Sequence, residues 1–367
     1  MRILDSWGLD RGRAGFTKCR AIGIFSSETL EALRPITVLD NEASFGTDRF
    51  NAHRVDFHNA LKELAASTEG EAPPIKLQLN SRVVAYDADK GSVALDDGSE
   101  ECADLIVAAD GVHSKASTHI LGYSVPAKPS RSTVIRFLIP TEEILKDPVT
   151  ASLLAKGNGF WGYYVSVDRQ RYMVRYPCRD DKLQNFGLYV IRDLSVAEDQ
   201  GFRMKCERSD LREAMSGFHP ALRALCEKTA EILPLWICAD RKPLPTCYGG
   251  RMVMIGDALH PMLPHKGQGA ASSIEDAATL GLLFKDVDRN DQQTISDRLR
   301  IFQEVRLNRT SVTQLYSHEN YFGDSINTPK HECLKYLPES QLPRKSIKSK
   351  QSYQGLTGMY DRGGKPD

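Results

Sequence analysis

Apolar and polar residues recur at helical spacing in three parts of the chain. The stretch AHRVDFHNALKELAAS places Val55, Leu61 and Leu64 on similar sides of a helix, and the loop TEGEAPP ends that helix. The stretch QGAASSIEDAATLGLLFK predicts a long amphipathic helix, and residues 291–317 continue the helical pattern. By the same criterion, the first sixty residues as a whole are predicted to be helical with polar faces.

The pattern changes to a period of two between Ile75 and Val107. The segments IKLQLNSRVVAYDA and SVALDD alternate apolar and polar residues around turns, which predicts a β-meander. The next run, from Leu105 to Ala109, is apolar without alternation, as is typical of a parallel strand buried on both faces. A similar strand precedes the sequence GDALHP. Together these two strands indicate an α/β sheet.

Residues 126–240 form a different block. Strand-like pieces (STVIRFLIP, FWGYYVSV, QRYMVRYPC) precede two helix-like pieces, and ILPLWICAD follows them. This order predicts a mixed β-sheet with helices on one side. After about residue 327 the chain becomes rich in Pro, Lys, Ser and Gly, which predicts a disordered tail over residues 328–367.

Composition and charge exclude several classes of protein. The 48 basic and 48 acidic residues cancel, whereas chains that bind polyanions carry a basic excess, so no nucleic-acid partner is predicted. With 41% hydrophobic and 26% charged residues, the chain is typical of a globular protein. No apolar run reaches the roughly 18 residues of a membrane span, and the start of the chain lacks the apolar stretch of a secretory signal. Eight dispersed cysteines without a C-x-x-C pair predict reduced thiols and a cytoplasmic location.

The strongest chemical signal is the stretch from Gly256 to Ala270, GDALHPMLPHKGQGA, followed closely by EDA. It follows a buried strand and opens a helix. Asp257 therefore projects a carboxylate at the carboxyl end of the sheet, where α/β folds bind ligands. Gly267 and Gly269 allow the backbone to pass close to a flat ligand, and the following helix directs its positive end there. The alternative is a tight glycine turn with an aspartate cap, but the length of the ordered stretch favours a ligand site.

A second motif, ADGVHS, ends the other apolar strand. Asp110 can accept a hydrogen bond from a ribose or a backbone group, and Gly111 permits close approach of a ligand. Alone this motif is a weak signal. It gains meaning beside the first motif because both follow buried strands.

Together these motifs resemble the flavin-dependent aromatic hydroxylases of class A, of the salicylate hydroxylase and para-hydroxybenzoate hydroxylase type, and the fungal secondary-metabolite members look closest. The resemblance spans Trp7 to Ser317 and rests on AHRVDFHNAL, the DG motif, RYPCRDDKLQNF and the GD motif. It implies an α/β, para-hydroxybenzoate hydroxylase-like fold. A discontinuous FAD-binding domain would cover residues 1–125 and 241–320, with a mixed-sheet substrate domain inserted at residues 126–240.

The resemblance also implies an activity, namely FAD-dependent hydroxylation of a phenolic or salicylate-like aromatic substrate with NADH or NADPH and O₂. In it, Asp257 would bind the ribityl hydroxyls of FAD. The full set of cofactor-binding residues that it implies is Arg54, Asp110, Gly111, Asp257, Pro264, Gly267, Gly269 and Ala270.

By the same resemblance, Arg136 and Tyr164 match the arginine and the tyrosine that face the substrate. A guanidinium can hold a phenolate or a carboxylate, and a phenol hydroxyl can relay a proton. The alternative for Tyr164 is a core aromatic residue on a strand. His260 and His265 are five residues apart, which is not the spacing of a metal pair on one helix face, so no metal site is predicted.

One part of the family pattern is not found. The strand, G-x-G-x-x-G turn and helix that cradle a pyrophosphate do not occur in that order, and Ser117 stands where the family commonly has an arginine. The sequence enters the family pattern several tens of residues late. We therefore expect an unpaired edge on the strand at residues 105–109, reduced stability and weak affinity for FAD. The alternative function is a truncated, catalytically impaired or non-catalytic remnant of such an enzyme. The substrate and the oligomeric state stay open.

Overall fold

The computed structural model describes residues 1–67, 75–191, 203–287 and 292–318. The predicted tail at residues 328–367 lies outside these ranges. The helices are α1 (Arg2–Ser6), α2 (Asn41–Phe45), α3 (Arg54–Ala65), α4 (Ala116–Leu121), α5 (Thr141–Leu145), α6 (Pro148–Ala151), α7 (Arg208–Ala214), α8 (Pro220–Ala224), α9 (Gly269–Phe284) and α10 (Gln292–Tyr316). None of these helices has both the length and the apolar composition that crossing a bilayer requires.

The strands form one large sheet and three small ones. They are β1 (Thr17–Lys18), β2 (Ala21–Ser26), β3 (Thr37–Val38), β4 (Phe50–Asn51), β5 (Val83–Asp87), β6 (Ser92–Leu95), β7 (Glu100–Cys102), β8 (Ile106–Ala108), β9 (Lys128–Pro140), β10 (Phe160–Val165), β11 (Arg171–Cys178), β12 (Leu183–Ile191), β13 (Arg203–Glu207), β14 (Ile232–Asp240), β15 (Tyr248–Gly249) and β16 (Met252–Met254).

The large sheet has eight strands in the order β13-β14-β9-β12-β11-β10-β2-β3. Its neighbours are antiparallel except β10 and β2, which run parallel with Phe160 opposite Ala21. The prediction that the first sixty residues are helical is therefore wrong for β2 and β3, because residues 21–26 (AIGIFS) form a largely buried strand. The sheet expected within residues 126–240 consequently gains two strands from the start of the chain, while the proposed domain boundaries stay a prediction.

The two faces of the large sheet bury different side chains. On one face, Phe137, Phe186 and Leu188 pack with Leu211 of α7 and Leu222 of α8. This confirms a mixed sheet with helices on one side. On the other face, a smaller cluster contains Val134, Tyr163, Tyr172, Val174, Tyr189 and, from the loop after β16, Leu263. The alternation of side chains along each strand separates the two sets.

The small sheets confirm two sequence predictions. Strands β5, β6 and β7 form the antiparallel meander, and β8 runs parallel to β16. Among the described residues β8 pairs with β16 alone, so it is an edge strand, and Val107 is 42% exposed. The expected unpaired edge is thus present, whereas burial of the strand on both faces is not.

A second core supports β8 and β16. Met252, Val253 and Met254 are fully buried against residues of α9 and α10, including Leu280 and Phe302. Helices α9 and α10 are predicted correctly. Helix α3 is also present, but none of its residues is buried, so the predicted apolar stripe at Val55, Leu61 and Leu64 does not form part of a core.

Candidate functional site

The two aspartate motifs lie at the same end of the parallel strands β8 and β16. Strands β8 and β16 run side by side, with Ala108 opposite Met254, so the residues after each strand leave from the same end. Asp110 follows β8 and Asp257 follows β16. This is the carboxyl end of the strands, where open α/β sheets bind ligands. The structure therefore places the two motifs at the same end of neighbouring strands.

Asp257 reaches solvent at the carboxyl end of β16. Its side chain is exposed, while Gly256 and Ala258 on either side are buried. Burial raises the pKa of the Asp257 carboxyl, and the charges of His260 and Arg54 offset part of that rise. Arg54 is the first residue of α3. The predicted pair of Arg54 and Asp257 is therefore close enough for their charges to interact.

The loop that carries the remaining predicted cofactor residues leaves open space beside Asp257. Pro264 begins a single turn of 3-10 helix, and Gly267 ends it with a φ of 63°. A Cβ atom on Gly267 would meet no atom within 4 Å, and one on Gly269 would lie 4.0 Å from Asp257 Oδ1. Helix α9 begins at Gly269, and Ala270 in its first turn is exposed. There is therefore open space at Gly267, whereas Gly269 lies beside the side chains of Met262, at 3.9 Å, and Asp257.

Asp110 and Gly111 border the same region from β8. The Tyr86 hydroxyl donates a hydrogen bond of 3.2 Å to Asp110 Oδ2, and burial together with that carboxylate raises the pKa of Tyr86 to about 12. Gly111 has a φ of 84°, a conformation that favours glycine. The charge of Asp110 also acts on the buried guanidinium of Arg241. Asp110 is exposed and keeps its second oxygen available for a ligand.

His265 joins this loop to the large sheet. Its Nδ1 atom lies 2.5 Å from the Tyr172 hydroxyl, and both side chains are buried. Burial lowers the pKa of His265 to about 4, so the imidazole is neutral near pH 7. Its Nε2 atom is buried without a hydrogen-bond partner among the described residues. The sequence pattern gives no signal for this buried hydrogen bond between His265 and Tyr172.

Arg136 lies on the face of the large sheet that meets this loop. Its charge acts on Tyr172, Tyr176 and Tyr189. Burial raises the pKa of Tyr189, and the charge of Arg136 and a hydrogen bond from it offset part of the rise. The Tyr172 and Tyr189 rings stack with centroids 4.6 Å apart. The structure thus surrounds the predicted substrate arginine with phenol groups.

The aromatic wall continues along β10. The Trp161 ring stacks on Tyr163 at 5.8 Å and receives the Arg49 guanidinium at 4.3 Å from its centroid. The indole Nε1 of Trp161 is buried and has no hydrogen-bond partner among the described residues. An unpaired buried donor costs free energy, so it offers a place for an acceptor group.

Tyr164 does not lie with Arg136, which corrects the expectation that both face one substrate. Tyr164 is 4% exposed and packs on Phe25, with ring centroids 5.7 Å apart, in the cluster on the opposite face. The physical reason is the period of two along β10, which directs Tyr163 to the Arg136 face and Tyr164 away from it. The structure therefore favours the alternative of a core aromatic residue.

The string G-x-G-x-x-G does occur in the chain, at Gly157, Gly159 and Gly162, and the sequence interpretation overlooked it. It leads into β10, and no helix follows that strand directly. A Cβ atom on Gly159 would lie 2.3 Å from the carbonyl oxygen of Lys18, so this glycine serves chain packing. It is not the strand, turn and helix arrangement that binds pyrophosphate.

The residues that sequence reasoning missed lie on β11 and β12. Tyr172 and Tyr176 are four residues apart on β11, and Tyr189 lies on β12 opposite Tyr172. Alternation alone predicts that Tyr172 and Tyr176 share a face. It does not predict that this face meets the loop containing His265.

The residues present fit part of FAD. The exposed Asp257 carboxylate can accept hydrogen bonds from sugar hydroxyls, and the open glycine loop can accommodate a flat ring. Among the described residues, no G-x-G-x-x-G turn follows a strand and opens a helix, which is the arrangement that holds a pyrophosphate. The described residues therefore fit the ribityl chain and the ring system of FAD, but not its pyrophosphate.

Known proteins resemble this chain over most of its length. The family model described as "FAD binding domain" matches residues 58–297. The FAD-dependent monooxygenase phomE' of Diaporthe leptostromiformis is 36% identical over 344 residues, which cover 93% of this chain and 85% of that protein. The 6-hydroxynicotinate 3-monooxygenase of Bordetella bronchiseptica is 33% identical over 279 residues, 75% of this chain and 67% of that enzyme.

Solved structures share the fold. A salicylate hydroxylase in complex with its substrate superposes with a TM-score of 0.69 at 24% identity, covering 91% of this chain and 83% of that one. Klebsiella pneumoniae HpxO with FAD and uric acid gives a TM-score of 0.69 at 20% identity, covering 93% and 78%. These matches confirm the α/β fold expected from the sequence. The chain belongs to the family of FAD-dependent monooxygenases of the aromatic hydroxylase type.

Proposed function

We propose that this chain holds FAD beside Asp257 and the loop containing Gly267, and hydroxylates a phenolic or salicylate-like aromatic compound on the Arg136 face of the large sheet. NADH or NADPH would reduce the flavin, and O₂ would supply the oxygen atom. The observation that carries the proposal is the hydrogen bond between His265 and Tyr172, because it joins the candidate flavin loop directly to the wall of phenol groups.

The cofactor side of the proposal rests on four groups. Asp257 would accept hydrogen bonds from the ribityl hydroxyls, and Arg54 would contact the cofactor from α3. Gly267 and Gly269 leave room for the flavin ring beside them. Asp110, at the end of the neighbouring strand, would contact FAD and the passing nicotinamide cofactor. When bound, FAD supplies the redox chemistry with O₂, and the protein supplies position and electrostatics.

The substrate side rests on charge and on exclusion of water. Arg136 would hold a phenolate or carboxylate by a charge-assisted hydrogen bond. The buried Tyr172 and Tyr189 rings would cover the aromatic plane. The hydrogen bond between the Tyr172 hydroxyl and His265 Nδ1 would hold both side chains in place where the candidate flavin loop meets the phenol groups. Tyr163 and Trp161 extend the same wall.

The test is reconstitution and turnover. The purified chain is titrated with FAD and followed by flavin fluorescence. Oxidation of NADH and of NADPH is then measured with and without salicylate, 4-hydroxybenzoate or phenol. We expect flavin binding, oxidation stimulated by at least one phenol, and a product that has gained one oxygen atom. The titration also measures whether FAD affinity is weak, as the sequence predicts.

An aspartate pair sharpens this test. Asp257→Asn should weaken FAD binding roughly tenfold or more, because it removes the charge from the acceptor of the ribityl hydroxyls. Asp104→Asn, at an exposed position before β8, is the matched control and should leave binding unchanged. A folded chain that binds no flavin and shows no stimulated oxidation would contradict the proposal and support the non-catalytic alternative.

A further inference from the structure

The turn that presents Asp257 lies between two buried charges of opposite sign. Residues Gly256 to Ala258 form one turn of 3-10 helix after β16, and Gly256 has a φ of 58°. The backbone N–H groups of Leu259 and His260 both donate to the Gly256 carbonyl, at 2.9 and 2.8 Å. A Cβ atom on Gly256 would lie 3.0 Å from Ser273 Oγ, so α9 packs tightly against this turn.

Asp276 of α9 forms the negative side of this arrangement. It is 0% exposed and accepts three hydrogen bonds, from Gly256 N at 3.0 Å, His260 Nε2 at 2.6 Å and Arg306 Nε at 2.8 Å. Burial raises the pKa of Asp276, but the bonds and charges of His260 and Arg306 outweigh it and lower the pKa overall. The carboxylate is therefore ionised near pH 7.

The partners of Asp276 are themselves fixed in place. Arg306 of α10 is almost fully buried, and its guanidinium also donates to Glu275 Oε2 at 2.6 Å and to the Ser272 carbonyl at 3.2 Å. Arg309, one helical turn further along α10, makes two hydrogen bonds to Glu275. The network connects α9 and α10, and it reaches the Asp257 turn through one carboxylate.

Arg241 forms the positive side. It is 6% exposed, and its guanidinium donates to the carbonyl oxygens of Ala258 and Leu259 and, at 3.3 Å, to Ser117 Oγ in α4. Burial lowers the pKa of Arg241 to about 10, and the charge of Asp110 offsets part of that effect, so the group stays charged near pH 7. Among the described residues no carboxylate lies within ion-pair distance of it. Its charge is compensated mainly by carbonyl groups of this turn.

We propose that Asp276 and Arg241 are positioning residues for Asp257. Asp276 fixes the N–H end of the turn, Arg241 fixes the carbonyl end, and Arg241 also connects the turn to the helix that follows the Asp110 motif. The turn that presents the exposed Asp257 is thereby ordered before a ligand arrives, which lowers the cost of binding. The consequence for FAD rests on the proposed function. The ordering of the turn does not.

The first experiment uses the protein without FAD, so that it stays informative if the proposed function fails. Hydrogen–deuterium exchange is followed in the peptide that covers residues 252–262. Arg241→Gln and Asp276→Asn should each accelerate exchange there by roughly tenfold or more, because each removes hydrogen bonds that close the turn. The matched control is Arg212→Gln, which breaks the exposed ion pair between Arg212 of α7 and Glu227. It should leave the peptide unchanged.

The second experiment measures FAD affinity and the visible circular dichroism of the bound flavin. Arg241→Gln and Asp276→Asn should weaken FAD binding roughly tenfold, which corresponds to about 1.4 kcal/mol, and should alter the flavin dichroism. Arg241→Lys should rescue part of the loss because it keeps the charge. If neither substitution folds, Ser117→Ala removes only the α4 anchor of Arg241 and should show the same changes at reduced size.

Two outcomes would overturn the positioning proposal. One is folded variants whose exchange in residues 252–262 matches that of the parent chain. The other is accelerated exchange with unchanged FAD affinity and unchanged flavin dichroism. That result would show that Asp276 and Arg241 stabilise the fold but do not affect how FAD is bound. Failure of the parent chain to bind FAD would contradict the proposed function instead, and the exchange result would then decide the ordering of the turn by itself.

Discussion

The two faces of the large sheet are built from the same strands but contain different chemistry. The helix-covered face is apolar and aromatic, with Phe137 stacked on Phe186 at 5.0 Å. The opposite face presents tyrosines, Trp161 and Arg136 to the loop that carries His265. One strand can therefore supply core residues and candidate substrate residues in alternation. On these strands, a residue next to a candidate substrate residue therefore lies on the opposite face, in the hydrophobic core.

The largest expected effect is a difference in stability between substitutions of two arginines that lie on opposite faces of the large sheet. Arg175 is buried on the helix-covered side and donates to Gln184 Oε1 and to the Phe160 carbonyl at 2.9 and 3.3 Å. Arg175→Gln should lower the free energy of unfolding by about 3 kcal/mol, because it leaves these buried acceptors unsatisfied. Urea unfolding followed by circular dichroism measures this loss.

The matched substitution Arg136→Gln lies on the tyrosine face. It should change the free energy of unfolding by less than about 1 kcal/mol, since Arg136 is only partly buried. It should instead abolish stimulation of NADH or NADPH oxidation by salicylate. Equal losses of stability in both variants would erase the distinction between the faces.

The next effect is the part of the pH dependence of stability that arises from His265 on the tyrosine face. Burial, with the charges of Lys266 and His318, lowers the pKa of His265 to about 4 from its ordinary 6.5. Between these values the unfolded chain binds a proton that the folded chain does not. The contribution of His265 to stability is therefore complete above pH 6.5 and is lost as the pH falls towards 4, by up to about 3 kcal/mol.

His265→Gln supplies the comparison for this prediction. Urea unfolding at a series of pH values from 7 to 4 should show a smaller decline for the variant than for the parent chain. Parallel curves would show that the imidazole does not titrate differently in the folded and unfolded states. Such a result would remove the argument for a neutral, buried His265 beside Tyr172.

The smallest expected effect is a change in KM when one of two adjacent tyrosines on β10 is substituted. Tyr163→Phe and Tyr164→Phe each delete one hydroxyl from a buried ring, and both should change the free energy of unfolding by less than about 1 kcal/mol. Only Tyr163→Phe should change the KM for salicylate, by about two- to fivefold, because Tyr163 belongs to the Arg136 face. A change in KM for Tyr164→Phe alone would restore the original sequence prediction.

Much of the cofactor side could be predicted from sequence because its signals are local. A buried strand followed by Gly-Asp, and another followed by Asp-Gly, place Asp257 and Asp110 at strand ends whatever the rest of the chain does. Helices α9 and α10 follow from the spacing of apolar residues in the same way. The start of the chain was misjudged because β2 is a short buried strand whose partner, β10, lies more than a hundred residues later.

The sequence by itself determined the β-meander, helices α9 and α10, the two aspartate turns and the alternation of side chains along each strand. Only the tertiary structure decided which of these two sets of side chains meets the candidate flavin loop. It places Arg136 on the same face as Tyr172 and Tyr189, and Tyr164 on the other face. It also places the Asp257 turn between Asp276 and Arg241. The physical reason is that alternation fixes relative direction within a strand. The pairing of distant strands and the docking of helices fix what each direction contacts.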